Sequence, residues 1–178
     1  MNFSHIDREA IMNRRNFLRN LAGLSLLVTI SAITGEVYAA MKPLIKSKEA
    51  WRALLPAERY AVLFEEGTEP PGSSALDGEK RSGTFVCAAC FLPLFSSKQK
   101  YDSGTGWPSF WQALPDAIAT RRDFKLILPR TEYHCARCGG HQGHIFKDGP
   151  APTGLRYCNN GLALEFVPEG EPLPGLRT

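Results

Sequence analysis

Cys87-Ala88-Ala89-Cys90 and, after an interval of 44 residues, Cys135-Ala136-Arg137-Cys138-Gly139-Gly140-His141-Gln142-Gly143-His144 are the stretches that decide how this chain is read. Two residues between thiolates let one tight turn aim both sulfurs at a single ion about 2.3 Å away, and two such turns close a tetrahedron. Four thiolates leave no open position for water or substrate, so the expected site is structural, and zinc is its natural ion. The competing reading is a pair of redox disulfides of the thioredoxin sort, which an exported chain permits. The duplication of the motif argues for metal. Substituting His134 or His141 for one sulfur would strand a cysteine.

Five cysteines leave one outside such a cage. It is Cys158, in Gly154-Leu155-Arg156-Tyr157-Cys158-Asn159-Asn160. A lone cysteine is by default an inert core thiol, but its company argues for a reactive one. Arg156 and the histidines favour a thiolate, and the amides of Asn159 and Asn160 offer hydrogen bonds to a polar substrate. Strand alternation puts Arg156, Cys158 and Asn160 on one face. The run Gly140-His141-Gln142-Gly143-His144 begins two residues beyond the second knuckle, so a metal-clamped turn there also fixes both imidazoles, which can donate protons near neutral pH. Singly, each histidine reads as a structural residue; two beside a knuckle are less easily dismissed. In Tyr101-Asp102-Ser103-Gly104-Thr105-Gly106-Trp107-Pro108-Ser109-Phe110-Trp111, the glycines permit close backbone approach and a ring held at a rim. Phe110 and Trp111 read as core aromatics, Trp107 as the ligand contact.

Around these motifs, Ser47 is placed to cap a short helix through Leu54. Pro56 opens a second helix, whose Ala57, Tyr60, Leu63 and Phe64 share a face before Gly67. Residues 69–82, rich in proline, glycine and serine, read as a long surface loop that wraps the domain. Phe124, Leu126 and Leu128 alternate with Lys125 and Ile127, and Leu162, Leu164 and Phe166 with Ala163 and Glu165, as half-buried strands do. Short strands separated by turns such as Lys147-Asp148-Gly149-Pro150 predict a mainly β, antiparallel protein with a helical preface. Residues 169–178 read as a loose tail.

The 178 residues are 43% hydrophobic and 22% charged, within the globular range, and nothing repeats at a fixed period. Twenty-one Lys and Arg against 18 Asp and Glu give +3, too balanced to call for a polyanion, and no basic cluster adjoins the knuckles, which argues against a nucleic-acid-binding zinc ribbon. Residues 1–39 have a signal-peptide layout: Arg14-Arg15-Asn16-Phe17-Leu18, an apolar run from Leu21 to Ile33, then Val37-Tyr38-Ala39. The paired arginines resemble the twin-arginine signal that exports folded proteins, and cleavage is expected after Ala39. Thirteen apolar residues are too few to cross a bilayer, which takes about 20 in a helix. The expected product, starting at residue 40, is periplasmic, with no stable membrane anchoring, and carries 17 basic and 15 acidic side chains.

Cys87 to Phe95 (Cys-x2-Cys-x2-Pro-Leu-Phe), Gly104-Thr105-Gly106-Trp107-Pro108-Ser109-Phe110, Gly140 to Phe146 and Gly154-Leu155-Arg156-Tyr157-Cys158 together resemble the B-type peptide methionine-R-sulfoxide reductases, from about Trp51 to Phe166. The resemblance implies two antiparallel sheets behind short N-terminal helices, in a domain spanning residues 40–168, and oxidised proteins bearing the R epimer of methionine sulfoxide as substrate. It implies Cys158 as nucleophile, Trp107 against the sulfoxide methyl, and His141, His144 and Asn160 around the oxygen, with Arg156 and Phe146 on the substrate side. Cys87, Cys90, Cys135 and Cys138 match the zinc ligands found in many members. Gln142 and Asn159 replace commonly apolar residues, Gly161 stands where serine is frequent, and Thr105 occupies the place of a second, resolving cysteine in some members.

A sulfoxide sulfur is electrophilic and its oxygen basic, so a thiolate can attack sulfur while an imidazole protonates oxygen. The products are methionine and a sulfenic acid on Cys158. With four sulfurs committed to metal, the sulfenic acid is expected to be resolved by an external thiol, from a thioredoxin-like domain or a small molecule. The rival is a non-catalytic zinc-stapled sheet that binds a ligand or peptide beside Trp107; such a binder would tolerate Cys158→Ser.

Overall fold

A computed structural model describes residues 42–124 and 129–178. The expected export signal, residues 1–39, lies outside the described residues. Helix α1 (Lys48–Leu54) starts where extended Ser47 accepts a hydrogen bond from the Ala50 N–H at 3.2 Å, satisfying one of the free donors of the first turn. Helix α2 (Ala57–Glu65) follows Pro56 and stops where Glu66 turns left-handed, at φ 54° and ψ 39°. Tyr60, Val62 and Leu63 are buried, and Phe64 stacks on Trp51 with ring centroids 5.0 Å apart. Ala57, expected on the buried face, is exposed, because the helix meets the domain with its later turns.

Strands β1 (Gly83–Cys87), β2 (Pro93–Ser96) and β9 (Leu164–Pro168) form a three-stranded antiparallel sheet in the order β2-β1-β9. Strands β3 (Lys100–Tyr101), β4 (Ser109–Phe110), β5 (Ile118–Asp123), β6 (Arg130–Cys135), β7 (His141–Phe146) and β8 (Arg156–Asn159) form a six-stranded one in the order β3-β4-β8-β7-β6-β5. The mainly β architecture of two antiparallel sheets behind two short helices is therefore the one expected. Aromatic side chains join the sheets: Phe95 stacks on Phe110 at 4.2 Å, Phe85 meets Phe110 edge-on at 4.9 Å, and Tyr133 meets Phe95 edge-on at 6.1 Å. Rings offset or edge-on in this way add to the burial of their area.

Three expectations need correction. Phe124 does not lie in a half-buried strand: β5 ends at Asp123, and Phe124 follows it, 68% exposed; the rest of that expected alternation, residues 125–128, lies outside the described residues. Leu162 belongs to a 3-10 turn (Gly161–Ala163) rather than to the strand, which starts at Leu164. The segment after residue 168 is irregular but tied at its end: the Arg177 N–H donates to the Cys90 carbonyl at 3.1 Å, and its guanidinium lies 4.6 Å over the Phe91 ring. The wrapping loop is anchored by Glu69, only 4% exposed, whose carboxylate accepts the Gly161 and Leu162 N–H groups at 2.5 and 2.8 Å. No described helix is long and apolar enough to cross a membrane.

Candidate active site

Cys87 and Cys135 close β1 and β6, and each is followed by a tight turn, Phe91 N–H to Cys87 O at 2.8 Å and Gly139 N–H to Cys135 O at 2.9 Å, that brings in Cys90 and Cys138. The four sulfurs lie within 4.8 Å of one another, Cys87 to Cys138 at 3.7 Å and Cys90 to Cys135 at 3.5 Å. A tetrahedron with metal–sulfur bonds of about 2.3 Å has edges of about 3.8 Å, so this donor set fits a metal ion. Both of these approaches run between knuckles, and the four cysteines are free thiols rather than two Cys-x2-Cys disulfides. Burial, first, and the neighbouring sulfurs push the Cys87 thiol well above its ordinary range, so its ionisation calls for a cation.

Cys158 stands apart from that cage on β8, between β4 and β7. In register it lies opposite Ser109 on one side and His144 on the other, and such opposed residues have Cβ atoms about 4.5–5.5 Å apart on the same face. The close approach of β7 explains Gly143: a Cβ there would sit 1.9 Å from the Cys158 carbonyl oxygen. Cys158 and His144 line a cavity of about 130 Å³ with Trp107, Phe146, Asn160, Thr68 and Arg130. The Trp107 indole N–H donates to the Glu69 carbonyl at 3.0 Å, which pins the ring at the rim. Gly106 before it has φ 85° and its carbonyl accepts the Gly72 N–H at 2.7 Å, so the wrapping loop braces the tryptophan. A larger open groove of about 860 Å³ between α2, the loop and β9 is lined by no cysteine or histidine, whereas the smaller cavity holds Cys158 and His144.

The remaining expected residues divide. His141 does not line the cavity: only 3% exposed, it bonds Glu132 through Nδ1 at 2.7 Å, and its ring centroid is 5.5 Å from that of His144. Arg156 does not line it either. Its guanidinium forms a bidentate pair with Asp148, at 2.9 and 2.8 Å, and lies 4.3 Å over the Phe146 ring. Asn160 lines the cavity, but Oδ1 accepts the Glu69 N–H at 3.1 Å and Nδ2 donates to the Gln142 carbonyl at 3.0 Å. Asn159, expected to offer its amide to substrate, turns it inward: Oδ1 accepts the Tyr133 hydroxyl at 2.6 Å and Nδ2 donates to the Asn160 carbonyl at 2.8 Å.

Charge around the cavity sets the resting proton positions. Burial raises the Cys158 thiol above its ordinary value, although Arg156 and the Thr105 hydroxyl pull it down. Burial lowers His144, against the opposing effect of Asp123, whose Oδ2 lies 2.8 Å from His144 Nε2 and 2.6 Å from Arg130 Nη2. Burial raises Glu132, but Arg121 and His141 outweigh it and hold the carboxyl below its usual range. Sequence reasoning missed Glu69, Asp123, Arg130 and Glu132. Neither carboxylate carried a local signal: Glu132 meets His144 only through strand register, and the partners of Glu69 lie 92 and 93 residues away.

The chemistry available to one separated thiol facing an imidazole is that of a thiol oxidoreductase, in which sulfur takes up an oxidising equivalent and passes it to a second thiol. Residues 55–168 match the SelR domain family. The chain is similar to proteins named peptide methionine sulfoxide reductase MsrB from three organisms. It is 51% identical to that of Bradyrhizobium diazoefficiens over 126 residues, covering 70% of this chain and 91% of the relative. It is 49% identical to that of Pseudomonas putida over 129 residues, covering 72% and 97%. With that of Methanosarcina barkeri the identity is 47% over 133 residues, covering 74% and 94%. The chain belongs to this SelR, or MsrB, family of methionine sulfoxide reductases.

Proposed function

We propose that the protein is a peptide-methionine (R)-S-oxide reductase that uses Cys158 as its nucleophile. The observation that carries this reading is the pairing of Cys158 with His144 across β8 and β7 beneath the pinned Trp107 ring, away from the four-sulfur cage. The sulfoxide methyl packs on the indole and the oxygen points to His144. With Asp123 accepting the proton on Nε2, the neutral His144 ring has Nδ1 free to take the Cys158 proton and hand it to the sulfoxide oxygen. The thiolate adds to the sulfoxide sulfur, the protonated oxygen passes to Cys158 Sγ as the substrate's sulfur–oxygen bond and the transient sulfur–sulfur bond break, and methionine leaves with a sulfenic acid on Cys158. One external thiol then displaces water to form a mixed disulfide, and a second releases Cys158 as thiol and leaves as disulfide. Thr105, hydrogen-bonded to Ser103 at 2.8 Å, offers the thiolate a hydroxyl and no sulfur.

The opposite epimer places oxygen against indole, where an unpaired polar group costs roughly 1–3 kcal/mol. Trp107 therefore sets the stereochemistry. His141 and Glu132 back His144, Asn160 holds the strand end in place, and Arg156 favours the thiolate through its charge. Cys87, Cys90, Cys135 and Cys138 would hold zinc, which supplies a closed structural crosslink between β1 and β6. A thioredoxin-like domain or a small thiol is the reductant, oxidised proteins are the clients, and residues 1–39 direct residues 40–178 to the periplasm by the twin-arginine route.

Purified residues 40–178, given separate R and S epimers of a blocked methionine sulfoxide with dithiothreitol, should turn over R alone, and Cys158→Ser should turn over neither. Equal use of both epimers refutes the pocket. Mass spectrometry after one equivalent of sulfoxide without reductant should find a sulfenic acid on Cys158; a stoichiometric bond from Cys158 to a cage cysteine would refute the division of the sulfurs.

A further inference from the structure

Gln142 and Asn159 meet in the interior. Both are wholly buried, as are Tyr133 and Cys87. The Gln142 Nε2 donates to Cys87 Sγ at 3.5 Å, and its Oε1 accepts from Asn159 Nδ2 at 3.4 Å. Asn159 Oδ1 in turn accepts the Tyr133 hydroxyl at 2.6 Å. The backbone of the same glutamine accepts twice from Asn160, from its N–H at 2.8 Å and from its Nδ2 at 3.0 Å. Polar side chains placed where apolar ones would fill the space carry a desolvation cost unless every group finds a partner, and here each does.

We infer that Gln142 is an outer-sphere partner of the metal cage: its amide N–H bonds the Cys87 ligand sulfur, and through Asn159 and Asn160 it fastens the cage to the strand end that follows Cys158. An N–H donated to a metal-bound thiolate disperses negative charge on sulfur and fixes the ligand's orientation, and loss of such outer-sphere partners typically lowers metal affinity about 10–100-fold. An apolar residue at 142 would fill the same volume without either effect. The inference rests on the reading of the cage as a zinc site.

The test loads residues 40–178 with zinc and follows release to a chromophoric chelator well below the unfolding temperature. Wild type is compared with Gln142→Met, which keeps length and loses the donor, and with Gln142→Glu, which sets a carboxylate against the thiolates. Release should quicken about 10–100-fold in Gln142→Met and further in Gln142→Glu. Asn159→Leu keeps the Cys87 contact, so it should lower the unfolding temperature by leaving the Tyr133 hydroxyl without a partner while changing release less than Gln142→Met does. Release from Gln142→Met at the wild-type rate overturns the inference, as does faster release from Asn159→Leu than from Gln142→Met. Should Gln142→Glu fail to fold, the Gln142→Met rate decides alone. Wild type that takes up no zinc at all refutes the metal reading itself, an outcome separate from these.

Discussion

Five cysteines occupy two regions of one small fold, and the same atom does opposite things in them. In the cage, sulfurs approach to 3.5 and 3.7 Å, the Gln142 amide donates to Cys87 and the Leu92 backbone bonds Cys90. On β8, a single sulfur has an imidazole across the strand, a guanidinium and a hydroxyl nearby, and a cavity before it. What separates the two roles proposed for these sulfurs is the surroundings: four thiols packed together call for a cation, whereas one thiol beside a proton acceptor and an open cavity can react.

The sharpest way to break this contrast is to exchange oxygen for sulfur in each region. Cys158→Ser should bring turnover of the R epimer to background in a steady-state assay while moving the melting temperature by less than about 4 °C, the equivalent of roughly 1 kcal/mol in a domain of this size. Cys135→Ser should do the reverse in kind, abolishing stoichiometric zinc and lowering the melting temperature by more than about 10 °C, because metal binding contributes directly to folding. If both variants melt like wild type, the cage does not hold the fold. Trp107→Ala should lower kcat/KM for the R epimer about 10–100-fold and narrow the preference over S, since the methyl contact and the rejection of misplaced oxygen both disappear.

The smallest effect is electrostatic. Burial holds His144 below the ordinary imidazole value of 6.5, so as pH falls through 6.5 the unfolded chain binds a proton before the folded one does. Stability should be level above that pH, decline as pH drops toward the folded value, and level again below it. Urea titrations at half-unit intervals should show this slope in wild type and a shallower one in His144→Gln.

Much of the site was legible along the chain because it is written in local spacing. The two Cys-x2-Cys turns, the histidines just after the second, and Trp107 between glycines are each fixed within a few residues. Less legible was which side chains would be used up on their neighbours. His141 looks like a twin of His144, yet Glu132 claims it; Asn159 and Asn160 look like substrate ligands, yet Tyr133, Glu69 and Gln142 claim their amides. Arg156 alternates in phase with Cys158, yet Asp148 turns its guanidinium aside. Phe124 misled because periodicity does not mark burial: β5 ends one residue earlier, and Phe124 is exposed.

The sequence by itself determined the chemical inventory: four sulfurs in two paired turns, one left over, an imidazole pair and an indole, together with the two-sheet class and the family. Only the tertiary structure decided which imidazole lies across from the lone thiol, that Glu69 and Asp123 brace the site, and that Gln142 joins the cage to the Cys158 strand. The reason is that ligand turns are set by neighbours along the chain, whereas the assignment of each buried hydrogen bond depends on strand register between residues far apart in sequence.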